Sequence, residues 1–136
     1  MAVLEDRSIQ FSEAKASLSL VKKTKEDIEF VLGFDCEVLH FSHKYVWLED
    51  DIELVLNNIK EIRTQEIDDS EISVDSPGIE FRCKKYEHQE GIYFVTISVD
   101  LGYLTSYMGT ESLLSLTLST TLPDFEEWIR EGFEIK

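Results

Sequence analysis

One α+β domain spanning residues 1–136, built on a single, mainly antiparallel sheet of about six strands with two helices packed on one face, follows from three observations on the sequence. Apolar residues alternate with polar ones at period two in several segments. They shift to a helical period in two others, and the runs between segments are short and carry turn chemistry. Strands joined in succession by short turns pair antiparallel, and an amphipathic helix buries its stripe on such a sheet. At 136 residues, 43% of them apolar, with six glycines and two prolines, the chain is the size of one domain and long enough to enclose its own core.

Ala16, Leu18 and Leu20 alternate with Ser17 and Ser19 as in a half-buried strand, with Arg7–Ser12 read as a short strand ahead of it. Lys22-Lys23-Thr24-Lys25 then makes a turn, and Ile28, Phe30, Leu32 and Phe34 alternate on its far side, giving a hairpin. Cys36–Leu48 stays rich in β-formers, and Gly33 is a candidate bulge or bend. At Ile52 the period changes: Ile52, Val55, Leu56, Ile59 and Ile62 form one stripe of an α-helix. Three strands of a meander follow, carried by Ile72 and Val74, by Ile79, Phe81 and Cys83, and by Tyr93, Val95, Ile97 and Val99. Asp75-Ser76-Pro77-Gly78 and His88-Gln89-Glu90-Gly91 supply the turns. Gly102–Gly109 reads as a loop, and Leu114, Leu116 and Leu118 as a further strand. The last element is a helix with Leu122, Phe125, Trp128 and Ile129 on its apolar stripe, Pro123 as its start signal and Gly132 as its stop. No repeat or linker divides the chain.

Twenty-eight acidic against thirteen basic side chains leave a net charge of −15. Phosphate binding depends on Lys and Arg, so this balance speaks against nucleic acid and against anionic membrane surfaces as partners. It favours basic proteins or cations. The first twenty residues carry no readable signal peptide, and no stretch has the length of apolar sequence that spans a bilayer, which leads to the expectation of a cytoplasmic protein. Cys36 and Cys83 lie far apart in strand-like runs and are expected as buried free thiols, in keeping with a reducing compartment.

Signatures of catalysis are absent: there is no G-x-S-x-G elbow, no phosphate-binding glycine loop and no H-E-x-x-H. His40 and His43, three apart on a strand, point to opposite faces and chelate poorly, so surface histidines are the simpler reading. The stretch from Asp68 to Gly78 does not place its oxygens as a calcium loop requires. No catalytic residue, metal or cofactor is therefore expected, and a Cys–His pair meeting only in space stays as an open alternative.

Charge is concentrated. Residues 47–75 hold ten carboxylates against Lys60 and Arg63 alone, leaving −8 of the chain's −15 in 29 residues. Glu49, Asp50, Asp51 and Glu53 occupy the first turn of the first helix, where carboxylates cap free N–H groups and suit the dipole. Glu66, Asp68, Asp69, Glu71 and Asp75 come after that helix, where the dipole disfavours them. A solvated loop and a charged binding surface both fit, and the concentration of like charge, which costs stability, favours binding. Trp128 belongs to the core by its place on the helix stripe, whereas Tyr103 and Tyr107, in a loop beside Met108, are candidate interface aromatics.

The order of elements, the run Trp47-Leu48-Glu49-Asp50-Asp51-Ile52-Glu53-Leu54-Val55-Leu56 leading into a helix, and the closing Leu122–Ile129 together resemble small bacterial immunity proteins of the WapI-like family. That resemblance implies a non-enzymatic protein that neutralises a cognate toxin domain by binding it. An acidic plug is expected to steer to a basic toxin and block it through complementary charge. Asp50, Asp51, Glu53, Glu66, Asp68, Asp69, Glu71, Asp75, Tyr103 and Tyr107 are the expected contact residues. An acidic nucleic-acid mimic and a small enzyme with an unrecognised site are the alternatives.

Overall fold

Two antiparallel meanders, each followed by a helix, organise the chain. The computed structural model describes residues 1–7, 13–76, 78–101 and 113–135. The first meander is β1 (Ala2–Glu5), β2 (Lys15–Lys23), β3 (Ile28–Cys36) and β4 (Leu39–Trp47), and α1 (Glu49–Gln65) follows it. The second is β5 (Asp69–Ser73), β6 (Ile79–Lys85), β7 (Tyr93–Asp100) and β8 (Leu113–Thr120), and α2 (Leu122–Gly132) follows that. Strand order within each sheet is the order in the chain.

The α+β class holds, but the expected single sheet of about six strands is replaced by two sheets of four. Alternation identifies strands one by one and is silent on where one sheet ends. Here α1 is the divider. Its Ile52, Val55, Ile59 and Ile62 are buried, and it carries the chain about 25 Å between β4 and β5, so β5 starts a new sheet beside the helix instead of pairing with β4. The strand at the N-terminus is Ala2–Glu5, with Ala2 and Leu4 facing in, and most of the segment expected as a strand, residues 8–12, lies outside the described residues. Gly33 marks no bulge, since it pairs regularly with Ser17 and Ser42; the register shifts in β2, between Leu20 and Lys22.

The two sheets meet at a seam. Asp6 and Arg7 extend β1 beyond its last ladder residue and reach Ser119 of β8. The Arg7 N–H donates to the Ser119 carbonyl at 2.8 Å, while the Ser119 N–H and hydroxyl donate to Asp6 Oδ1 at 2.7 and 2.6 Å. Edge strands expose unpaired backbone groups, and this seam occupies one edge of each sheet.

Both inner faces share one core. Trp47, at the end of β4, lies 5.0 Å from the Phe30 ring of its own sheet, 6.3 Å from Phe81 of the other and 5.6 Å from Phe133 after α2. A buried aromatic at such a junction is worth about 3–5 kcal/mol on truncation. Packing of α2 on β2 is so close that a methyl group on Gly132 would overlap the Leu18 side chain.

Candidate functional site

The acidic segment lies along one flank, formed by α1 and the edge strand β5, and its carboxylates divide by role. Asp51, at the third position of α1, is 3% exposed. Its Oδ2 accepts from the Leu48 N–H at 2.9 Å and from the Ser76 hydroxyl at 2.5 Å, while its own N–H donates to the Leu48 carbonyl at 3.0 Å. This is the reciprocal half of a capping box. Leu48 has no side-chain acceptor to supply the other half. Asp51 therefore holds the helix start to the β5–β6 turn and presents no carboxylate to a partner. Asp50 and Glu53, by contrast, are exposed.

At the other end of α1, Glu66 adopts a left-handed backbone conformation, with φ 52° and ψ 46°, and the Ile67 N–H closes on the Ile62 carbonyl at 3.1 Å. Glycine or asparagine usually fills such a position, because a Cβ is strained there by about 1–2 kcal/mol. Asp68 follows on the connection to β5, and the Tyr93 hydroxyl donates to the Ile67 carbonyl at 3.4 Å. Burial first, then the nearby charges of Asp68, Cys83 and Glu66, raise the Tyr93 phenol above its ordinary value.

Asp69 and Glu71 stand on β5. Arg82 of β6 donates to both Asp69 oxygens, Nε at 3.0 Å and Nη2 at 2.7 Å, and this hydrogen-bonded guanidinium holds the Asp69 carboxyl below the usual range. Glu71 pairs in register with Arg82, and Asp75 follows the strand. Charged side chains on an edge strand also deter edge-to-edge association, a structural use that Asp69 and Glu71 serve whatever else they do. Asp50, Glu53, Glu66, Asp68, Glu71 and Asp75 are all exposed, and none joins an ion pair among the described residues. They mark the two ends of α1 and the edge beside it. Tyr103 and Tyr107 lie outside the described residues.

A second acidic feature, absent from the sequence-based expectations, sits at the seam. A cleft of about 430 Å³ opens between β1 with its extension and α2, over the end of β8. Its carboxylates are Glu5, Asp6, Asp124, Glu127 and Glu131, and its one cation, Arg7, is ion-paired with Asp124. Thr120 and Trp128, 0% and 2% exposed, also line it. Among the described residues neither Thr120 Oγ1 nor Trp128 Nε1 has a hydrogen-bond partner, and the same holds for Tyr45 Oη and Trp47 Nε1 in the core. A signal for this cleft stands in the sequence: Asp124, Glu127 and Glu131 recur at i, i+3 and i+7, so three carboxylates line one helix face beside the apolar stripe. The N-terminal contribution does not show there, because only the fold brings Glu5, Asp6 and Arg7 to that helix.

Other chemistry is less developed. Cys36 and Cys83 are both free thiols, Cys36 half-buried and Cys83 fully buried. Burial pushes the Cys83 thiol up to about 12, the reverse of what a nucleophilic thiolate needs. His40 pairs with Asp35 on the exposed face of the β3–β4 hairpin. Among the described residues no three His, Cys, Asp or Glu side chains converge as a metal shell, and no helix is long and apolar enough to cross a membrane. Compared with known proteins, the chain matches no family model, no curated protein and no solved structure.

Proposed function

We propose that this chain is a non-enzymatic inhibitor of the immunity type, which acts in the cytoplasm by docking its acidic α1–β5 flank against a basic protein, in the first place a toxin domain. The observation that carries the reading is the set of five exposed carboxylates along that flank, Asp50, Glu53, Glu66, Asp68 and Asp75, without an ion-pair partner among the described residues, with Glu71 exposed beside Arg82. Two penalties meet at Glu66, a strained backbone and a negative charge at the wrong end of the helix dipole. A glutamate there costs stability, and strained residues of this kind cluster at binding sites. The likeness of the element order and of Trp47–Leu56 to WapI-like immunity proteins supports the same reading. A field of this sign accelerates encounter with a cationic surface by roughly 10- to 1,000-fold, and a bound plug needs no chemistry of its own to block a cleft.

The test starts with capture of a basic protein at low salt and its identification, followed by stopped-flow mixing with the Glu66→Gln/Asp68→Asn/Asp75→Asn variant. The association rate should fall about tenfold at 20 mM salt, and the difference should vanish near 0.5 M, where screening removes steering. An unchanged rate at low salt overturns the reading.

A further inference from the structure

The edge strands of the two sheets are not protected alike. β1 and β8 meet at the seam, and β5 is five residues long and bears Asp69 and Glu71. β4 is the longest of them, nine residues paired with β3 without a shift of register, hence without a bulge. Its sequence, LHFSHKYVW, contains no proline and no carboxylate, and Lys44 is its one fixed charge. Proline, bulges, short length and charge are the devices that keep an edge from pairing with another chain, and β4 has little of any of them. Among the described residues no hydrogen bond beyond the β3 ladder reaches the backbone of Leu39–Trp47. The edge is open for a further strand.

Charge decides which strand fits. A chain with a net charge of −15 repels its own copies wherever carboxylates face each other, but Val38–Leu48 is a run of 11 residues without an acid. Two copies can meet there without opposing like charge on the strand. A basic protein finds Lys44, His40 and His43 on that edge and no carboxylate to pair with. The strand is also complementary to itself. His43 is its midpoint, so antiparallel pairing about a two-fold axis at His43 aligns all nine residues. Phe41 then lies opposite Tyr45 of the second copy, Leu39 opposite its Trp47 and Ser42 opposite its Lys44. Just beyond the ladder, Val38 meets Leu48, and these are exposed apolar side chains in the single chain, at 91% and 47%. Half-buried Leu39 and Phe41 gain cover from the same contact.

We infer that two copies of this chain pair through β4, antiparallel about His43, so that two four-stranded sheets join into one of eight. Pairing uses up the open edge on both copies, which closes the assembly at a dimer. Each copy brings its whole negative charge, and Glu37 and Glu49 of opposite copies come together one residue beyond Val38 and Leu48. Self-pairing therefore strengthens with salt, whereas the docking of a basic protein on the α1–β5 flank weakens. The two contacts are told apart by that sign.

Sedimentation equilibrium of the full chain tests this. The mass should rise from that of the monomer to twice that value and stop, with half-association on the order of 10–100 µM, as for a small, transient interface. Going from 0.05 to 0.5 M NaCl should tighten it at least threefold. His43→Glu, at an exposed position, sets two carboxylates opposite each other and should weaken it at least fivefold. The register is read by a crosslink, which stands whether or not His43→Glu folds. In Cys36→Ser/His43→Cys the two new thiols lie opposite each other at about 4.5–5.5 Å between Cα atoms, within disulfide reach, and mild oxidation should give a covalent dimer. In Cys36→Ser/Val46→Cys they lie six residues apart along the ladder, about 20 Å, and should not join. A chain that stays monomeric to 1 mM overturns the proposal, and so does mass that grows past the dimer. Association that weakens with salt overturns it as well, because opposite charges would then hold the copies together, and so does equal crosslinking at positions 43 and 46.

Discussion

Asp50 and Asp51 are adjacent carboxylates in the first turn of α1, yet only one of them belongs to the fold. Asp51 is buried and accepts two hydrogen bonds, one from the backbone of Leu48 and one from Ser76. Removing it leaves an N–H and a hydroxyl in a half-buried site without an acceptor, so Asp51→Ala should cost about 2–3 kcal/mol in urea denaturation. Asp50→Ala loses only a dipole contribution of about 0.3–1 kcal/mol. Equal losses would remove the distinction between a structural and a free carboxylate. A second residue-scale expectation concerns alkali. Cys83 is held up to about 12 in the folded chain against 9.0 unperturbed, and Tyr45 to about 12 against 10.0, both through burial. In both cases the unfolded chain gives up its proton first. Stability is then full below pH 9 and declines as pH rises towards 12, by up to about 1.4 kcal/mol per pH unit for each group. Cys83→Ala lowers the starting stability through the smaller side chain, but it should move the onset of the decline upward, towards pH 10. Urea midpoints followed from pH 8 to 11 measure this, and an unchanged onset would show that Cys83 does not govern it.

Among the elements, the two helices were legible in the sequence because each carries an unbroken apolar stripe, and nothing else in the chain repeats with that period. Strands were legible one at a time, from the alternation of Ile28–Phe34 or Tyr93–Val99. Their division into two sheets was not, because pairing is decided by where α1 sends the chain and by contacts such as Asp6 with Ser119, 113 residues apart. The flank was legible as a charge run, whereas the burial of Asp51 and the pairing of Asp69 with Arg82 depend on neighbours 25 and 13 residues away. Gly132 shows a signal read for the wrong reason. It reads as a stop, but it is the last residue of α2, and left-handed backbone falls instead at Glu134, with φ 54°. The glycine is there for contact, since a Cβ would strike Leu18 Cδ2, Cγ and Cβ. Helix propensity alone would make Gly132→Ala stabilising by about 1 kcal/mol, while overpacking against β2 costs about 1–3 kcal/mol. The clash outweighs the propensity. The variant should therefore melt below the wild type, and pairing it with Leu18→Ala should show a favourable coupling in a double-mutant cycle, because the smaller side chain makes room.

Over the whole molecule, 28 carboxylates against 13 bases place the fold under its own repulsion, and the sign of its salt dependence follows from which electrostatic contribution is larger. The favourable side consists of ion pairs such as Arg7–Asp124, Arg82–Asp69 and the two that Glu126 makes with Arg63 and Arg130. Exposed pairs of this kind contribute about 0–1 kcal/mol each. The unfavourable side is the unbalanced −15, of which −8 lies in residues 47–75. At 10 mM salt the Debye length is about 30 Å, longer than the roughly 25 Å of α1, so the carboxylates at its two ends repel one another; at 150 mM it is about 8 Å and they do not. Repulsion should dominate, and Tm should rise by several degrees between 10 and 200 mM NaCl in differential scanning calorimetry. A Tm that falls over this range would mean that the ion pairs prevail and that the flank is electrostatically relaxed. The Glu66→Gln/Asp68→Asn/Asp75→Asn variant should be more stable than the wild type at 10 mM salt, with a flatter salt dependence, and slower to associate with a basic partner. Only if stability and association move in opposite directions is the concentration of charge along α1 and β5 a feature kept for binding at the expense of the fold.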